Sequence, residues 1–122
     1  AIIFITHDFG VVAQLCDRVS VMYAGRIVEA GETGTVLSDP AHPYTKRLIA
    51  CVPELGGGCR KLSAIPGLPP AVDKLPDGCA FADRCDKRRA ECRSGDIQLR
   101  LSLGRPVRCL YPENAPAARE SA

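Results

Sequence analysis

Four of the seven cysteines in this chain, Cys79, Cys85, Cys92 and Cys109, lie close together in its C-terminal part. The sequence shows no export signal, so a disulfide framework formed in an oxidising compartment is not favoured. In a reducing compartment, clustered cysteines more often bind a metal ion or an iron–sulfur cluster. We therefore expect the four thiols to act as one ligand set that stabilises a region with little hydrophobic core.

The spacing of these cysteines, C-x5-C-x6-C-x16-C, bears on what they bind. Zinc sites usually contain cysteine pairs separated by two to four residues, and none of the gaps here is that short. Wider gaps suit a [4Fe–4S] cluster, which takes four thiolates from separate loops. The spacing thus favours the cluster, with zinc and unligated thiols as alternatives. Cys16, Cys51 and Cys59 are scattered and are expected to be ordinary thiols.

The overall charge excludes some classes of protein. The chain has 122 residues, with 16 basic and 14 acidic side chains and a net charge of +2. A uniformly nucleic-acid-binding or membrane-surface protein is therefore not favoured. Between residues 79 and 109 basic side chains outnumber acidic ones. This local excess can offset thiolate charge around a cluster, although a solvated face and a nucleic-acid patch are alternatives.

The apolar pattern predicts an α/β arrangement in the first half of the chain. The unbroken apolar run at residues 1–5 is typical of a strand buried on both faces. Asp8 is expected to cap a following helix at residues 9–18. A β-hairpin around Ala24 and Gly25 and two short helices, at residues 33–38 and 43–52, complete the prediction.

The composition divides the chain into five expected segments. Residues 1–40 form the end of an α/β domain, and residues 41–53 a helix that opens an extension. Proline and glycine are frequent in residues 54–76, which are predicted to be an extended connector. Residues 77–112 form a small irregular cysteine-rich extension, and residues 113–122 a flexible tail.

His7 is the candidate catalytic residue. It follows the predicted strand, and polar residues at that end of a parallel strand are where open α/β sheets bind ligands. By position alone, however, a capping or hydrogen-bonded loop histidine is the favoured interpretation.

The order of motifs around His7 is more specific than its position. The segment Ile-Phe-Ile-Thr-His7-Asp, a helix, and the segments Cys16-Asp-Arg-Val-Ser-Val-Met and Tyr-Ala-Gly25-Arg-Ile-Val-Glu-Ala-Gly31 follow one another. Together they resemble the end of an ABC-transporter ATPase domain. The resemblance implies that the first part of the chain is the C-terminal remnant of a P-loop ATPase domain. It also implies that His7 is the switch histidine, which contacts the γ-phosphate of ATP.

The 122 residues contain no G-x-x-x-x-G-K-[ST] phosphate loop. ATP with Mg²⁺ would therefore be held mostly by a part of the subunit upstream of this sequence. The chain by itself is expected not to hydrolyse ATP.

The rest of the chain resembles one branch of this family. Asp-Pro-Ala-His42-Pro-Tyr, then Ile-Pro-Gly67 and Pro-Asp-Gly78-Cys-Ala-Phe81, are similar to the C-terminal extension of oligopeptide and dipeptide (peptide/nickel) ABC importer ATPases. The resemblance implies an ATPase subunit that powers peptide import and pairs with a second ATPase subunit and membrane-spanning permease subunits. It also implies a peripheral location at the cytoplasmic face of the membrane, no nucleic-acid partner, and a [4Fe–4S] cluster in the extension.

A second hypothesis comes from a different class of protein. The basic cysteine-rich region alone could belong to a stand-alone metal- or cluster-stabilised module that binds nucleic acid or another protein. Such a module does not require a strand that ends in Thr-His-Asp. The motif around His7 therefore discriminates between the two hypotheses.

Overall fold

The computed structural model describes residues 1–52 and 65–113. Its helices and strands are α1 (Phe9–Leu15), β1 (Arg18–Tyr23), β2 (Arg26–Glu32), α2 (Thr33–Ser38), α3 (Pro43–Ala50), β3 (Arg100–Ser102) and β4 (Arg105–Val107), with single-turn 3₁₀ helices at Ala82–Arg84 and Ala90–Arg93. Within the described ranges, none of the helices has the length and apolar character needed to cross a bilayer.

The four strands form one antiparallel sheet in the order β1-β2-β4-β3. The β1–β2 hairpin turns at Ala24 and Gly25, whose φ angles of 50° and 77° match the left-handed turn that suits hairpin twist. Strand β4 joins the hairpin where Val107 pairs with Glu29. The predicted hairpin is therefore confirmed, and the cysteine-rich part of the chain extends the same sheet with a second hairpin that was not predicted.

The hydrophobic core lies between the first hairpin, α3 and the cysteine-rich part. Phe81 is at its centre, with its ring 5.3 Å from the rings of both Tyr23 and Tyr44. Tyr23 meets Phe81 edge-on, an arrangement that aromatic pairs favour. Val21, Val28, Val36 and Cys85 complete the buried cluster. Because these residues come from distant parts of the sequence, the core ties the two halves of the chain together.

The three helices agree with the sequence prediction, although two are shorter. Asp8 caps α1 by accepting hydrogen bonds from the backbone N–H groups of Gly10 (2.8 Å) and Val11 (3.3 Å). Helix α1 ends at Leu15, where the chain turns directly into β1. Helix α3 begins at Pro43, whose fixed φ angle suits the first helical position.

Residues 1–5 differ from the prediction. They form no strand, and Ile2, Ile3 and Ile5 are 86%, 91% and 95% exposed. A buried parallel strand needs neighbouring strands on both sides, and none of the described strands pairs with this segment. The prediction of a buried strand in these residues was therefore wrong for this structure.

The predicted connector is described only from residue 65 onwards. Arg84 holds the first described residues of the connector by donating hydrogen bonds to the carbonyl oxygens of Ile65 (3.2 Å) and Pro66 (3.1 Å). Cys59 and the rest of residues 53–64 lie outside the described residues. At the other end, Glu113 was assigned to a flexible tail, yet it is buried and pairs with Lys46 and Lys87. Glu113 is therefore anchored to the fold.

Candidate functional site

The four clustered cysteines line one cavity of about 20 Å³. All four are free thiols; Cys85 and Cys92 are buried, and Cys79 and Cys109 are half-buried. The structure therefore brings these four side chains to one cavity. No other cysteine of the described residues lines this cavity.

Short local structures place three of the four thiols. Cys79 precedes the 3₁₀ helix Ala82–Arg84, and Cys85 follows it directly. Cys92 lies in the second 3₁₀ helix, and its carbonyl oxygen accepts a hydrogen bond of 2.7 Å from the backbone N–H of Cys79. This bond joins the two segments at the cavity wall, so the positions of Cys79 and Cys92 depend on each other.

Cys109 reaches the cavity because of the second hairpin. It follows β4 by two residues, and Arg108 fixes the intervening backbone. The guanidinium of Arg108 donates to the carbonyl oxygens of Ile27 and Ile97, both at 2.9 Å. The backbone N–H of Arg108 also donates to the Val28 carbonyl at 2.7 Å. Cys109 is therefore held against β2 although it is far from it in sequence.

Burial controls the charge state of these thiols. Burial first, and then the nearby thiols of Cys79, Cys85 and Cys92, together raise the pKa of Cys109 to about 12. Burial likewise raises the pKa of Cys79 and of Cys85. These three groups are therefore neutral thiols at pH 7, and binding of a metal centre would release their protons.

Several of the basic residues near the cavity have structural partners. Lys87 and Arg88 line the cavity; Lys87 contacts Glu113 at 2.7 Å, and Arg88 donates to the carbonyl oxygen of Cys85 at 3.5 Å. Arg105 is buried and pairs with Glu29 at 2.9 Å. These basic side chains are therefore bound to partners within the fold, and the local excess of positive charge is not simply that of a solvated surface.

His42 also lines the cavity, which no pattern in the sequence predicts. It is 1% exposed and caps α3, where its Nδ1 atom accepts a hydrogen bond of 3.0 Å from the backbone N–H of Tyr44. Burial lowers the pKa of His42 to about 4, so the imidazole is neutral at pH 7. The His-Pro-Tyr sequence predicts the start of a helix and carries part of the family resemblance, but it does not predict a place for His42 at this cavity.

Glu29 holds His42 in this position. Its side chain is fully buried, and its two carboxylate oxygens accept the backbone N–H groups of Ala41 and His42, each at 2.9 Å. Alternation along the β2 sequence would place a polar side chain on the solvent face, so this buried carboxylate could be recognised only from the structure.

The predicted catalytic residue, His7, lies far from the cysteines in sequence and is absent from the cavity wall. It is exposed and immediately precedes the capping residue of α1. Its exposure leaves the imidazole accessible to a ligand or a second subunit. The described residues around it include no phosphate-binding loop.

The described residues around the cavity do not have the geometry of a single-metal site. Among residues 1–52 and 65–113, no three histidine, cysteine, aspartate or glutamate side chains converge as they would on a single metal ion. Four thiols nevertheless line this one cavity. Thiolates are ligands of both zinc ions and iron–sulfur clusters, so the type of donor suits either group.

The profile of the family described as "Oligopeptide/dipeptide transporter, C-terminal region" matches residues 28–92. The chain belongs to this family. The oligopeptide/dipeptide transporter match includes His42 and three of the four clustered cysteines, and ends at Cys92.

Similar proteins in this family are transport ATP-binding proteins. The probable D,D-dipeptide transport ATP-binding protein DdpD of Escherichia coli is 52% identical over 120 residues, covering 93% of this chain and 35% of that protein. The oligopeptide transport ATP-binding proteins AppD of Bacillus subtilis and OppD of Salmonella typhimurium are each 44% identical, over 93% and 92% of this chain. The chain spans about a third of the length of these relatives. It covers 35% of AppD and 33% of OppD.

Proposed function

We propose that this chain is the C-terminal part of an ATP-binding subunit that powers peptide import by an ABC transporter. The observation that carries the proposal is the similarity of more than nine-tenths of the chain to proteins named as peptide transport ATP-binding proteins. The subunit would dimerise with a second ATPase subunit and contact membrane-spanning permease subunits at the cytoplasmic face of the membrane. The hypothesis of a stand-alone binding module gains no support from these relatives.

In this proposal His7 senses the nucleotide. An imidazole N–H can donate to an oxygen of the γ-phosphate and to the attacking water. Its exposed position immediately before α1 leaves it free to meet a nucleotide held mainly by other parts of the subunit. The residues that bind Mg²⁺ and the phosphates would lie outside these 122 residues, which alone are not expected to hydrolyse ATP.

The replacement His7→Ala tests this role in an ATP-binding subunit that includes the chain. We expect ATP turnover to fall by about 10²-fold or more, because a positioned proton donor contributes roughly this much to catalysis. Nucleotide affinity should stay close to that of the parent protein. The control is Gln14→Ala, an exposed change on the adjacent helix α1. Unchanged turnover in His7→Ala would refute the assignment.

We further propose that Cys79, Cys85, Cys92 and Cys109 hold a [4Fe–4S] cluster, with zinc as the alternative. The support is the shared cavity lined by four free thiols. The bound cluster would cross-link three segments that a small core holds only weakly. His42, Lys87 and Arg88 would surround it and limit the access of water.

Metal analysis of the anaerobically purified chain tests the ligand set. We expect about four iron and four sulfide per chain, with a brown colour. Cys92→Ser should lose most of the iron and lower the melting temperature, whereas Cys16→Ser, outside the cavity, should change neither. Stoichiometric zinc without visible absorbance would exclude the cluster, and equal effects of the two variants would exclude Cys92 as a ligand.

A further inference from the structure

The backbone segments that carry Cys79 and Cys92 are in direct contact at the wall of the cysteine cavity. The backbone N–H of Cys79 donates to the carbonyl oxygen of Cys92 at 2.7 Å. A Cβ atom on the preceding residue, Gly78, would lie 2.3 Å from the same oxygen, so the lack of a side chain there permits this approach. The two cysteines are therefore close neighbours, although a 3₁₀ helix and a loop lie between them in the sequence.

This hydrogen bond limits the distance between the two Cα atoms. Standard backbone dimensions and the donor–acceptor distance of 2.7 Å place the Cα atoms of Cys79 and Cys92 no more than about 6.6 Å apart. Disulfides usually join residues whose Cα atoms are about 4.4–6.8 Å apart. The backbone of the fold therefore already holds this pair within disulfide range.

The side chains of the pair share one space. Both are free thiols that line the same cavity. Burial raises the pKa of Cys79 and the thiol of Cys92 also raises it, so the two sulfur atoms lie within electrostatic range of each other. Cys79 is half-buried and Cys92 is buried, so a small reagent reaches Cys79 first.

We propose that Cys79 and Cys92 form a reversible disulfide when the metal-free chain meets a low-molecular-weight disulfide such as oxidised glutathione. Cys79 gives its proton to solvent, and the thiolate attacks one sulfur of the oxidant and releases one glutathione thiolate. Cys92 then loses its proton, attacks the Cys79 sulfur of the mixed disulfide and releases the second glutathione thiolate. The two cysteines are oxidised by two electrons, and the oxidant is reduced to two glutathione thiols.

This disulfide is a switch on the cysteine cavity. It consumes two of the four thiols, so the oxidised chain no longer presents the proposed ligand set, and reduction restores it. Formation of the disulfide does not require the proposed cluster, whereas its effect on metal loading rests on that proposal. The link joins two segments that already share a backbone hydrogen bond, so the fold around the cavity is kept.

Peptide mapping identifies the pairing without any substitution. Trypsin cleaves after lysine and arginine, so the four cysteines fall in four separate peptides, 75–84, 85–87, 90–93 and 109–119. After the folded, metal-free chain reacts with oxidised glutathione under anaerobic conditions, we expect peptides 75–84 and 90–93 to be the main linked pair. About two free thiols per chain should be lost to this link, and a reducing agent should restore them.

The same reaction on the chain unfolded in denaturant is the control. Short loops close most readily in an unfolded chain, so Cys85 should then pair with Cys79 or Cys92. A different main pair in the folded chain, or the same distribution in the folded and unfolded chains, would overturn the proposal. Cys79→Ser should abolish the link, whereas Cys109→Ser, which also removes a thiol of the cavity, should retain it. If a variant does not fold, the peptide map of the parent chain still decides the pairing.

Iron and sulfide uptake measures the effect of the switch on metal loading. The oxidised chain should take up less than about half the iron of the reduced chain, because two of the four proposed ligands are consumed. Equal uptake by both forms would overturn the switch. A reduced chain that takes up no iron would refute the proposed cluster, and the peptide map would still decide the disulfide.

Discussion

Replacing Gly78 with alanine is expected to disrupt the cysteine cavity. A Cβ atom at this position would lie 2.3 Å from the carbonyl oxygen of Cys92, 2.5 Å from the carbonyl carbon of Arg93 and 2.7 Å from the nitrogen of Ser94. All three are backbone atoms, so no side chain can rotate to make room. The two segments must separate, which breaks the hydrogen bond from Cys79 to Cys92. We expect a loss of about 3 kcal/mol or more in the free energy of unfolding.

Gly34→Ala is the matched control for this prediction. Gly34 lies in α2, and a Cβ atom there would meet nothing within 4 Å. Alanine should stabilise this helix by about 0.5–1 kcal/mol, because glycine is the more flexible residue in the unfolded chain. Thermal unfolding and the rate of thiol labelling measure both variants. A Gly78→Ala protein with parental stability and labelling would contradict the close packing of the two segments.

Short sequence motifs predicted the turns and helix ends, because these features are determined by neighbouring residues. The Ala24-Gly25 turn, the Asp8 cap and Pro43 at the start of α3 act through neighbouring residues, so a single sequence is sufficient to find them. The clustering of the four cysteines followed from their spacing and chemistry. The family resemblance was confirmed by the comparisons, from the His-Pro-Tyr segment to Cys92.

Contacts between distant residues could not be predicted in the same way. The apolar pattern of residues 1–5 predicts a buried strand only if partner strands flank it, and periodicity does not show whether they do. The short strands β3 and β4 carry little pattern of their own and depend on pairing with β2. The burial of Arg105 could not be predicted from the sequence, because its partner Glu29 lies in the other half of the chain.

The buried pair of Glu29 and Arg105 gives the second large prediction. Glu29 is inaccessible to solvent, and Arg105 Nε donates to its Oε1 atom at 2.9 Å. In Glu29→Gln the neutral amide leaves the guanidinium without a counter-charge, and its NH₂ group faces donors that need an acceptor. We expect a loss of about 3–5 kcal/mol, as when one partner is removed from a buried ion pair.

Asp83→Asn is the control for Glu29→Gln, since Asp83 pairs with Arg93 at 3.5 Å on the surface, where both side chains are more than half exposed. That pair should contribute no more than about 1 kcal/mol. Chemical denaturation of both variants and of the double variant Glu29→Gln/Arg105→Met measures their free energies of unfolding. The double variant should recover part of the loss, because it removes the uncompensated charge. Equal stability of Glu29→Gln and Asp83→Asn would mean that the buried carboxylate does not hold the Ala41–His42 backbone against β2. His42 would then have no fixed position at the cysteine cavity.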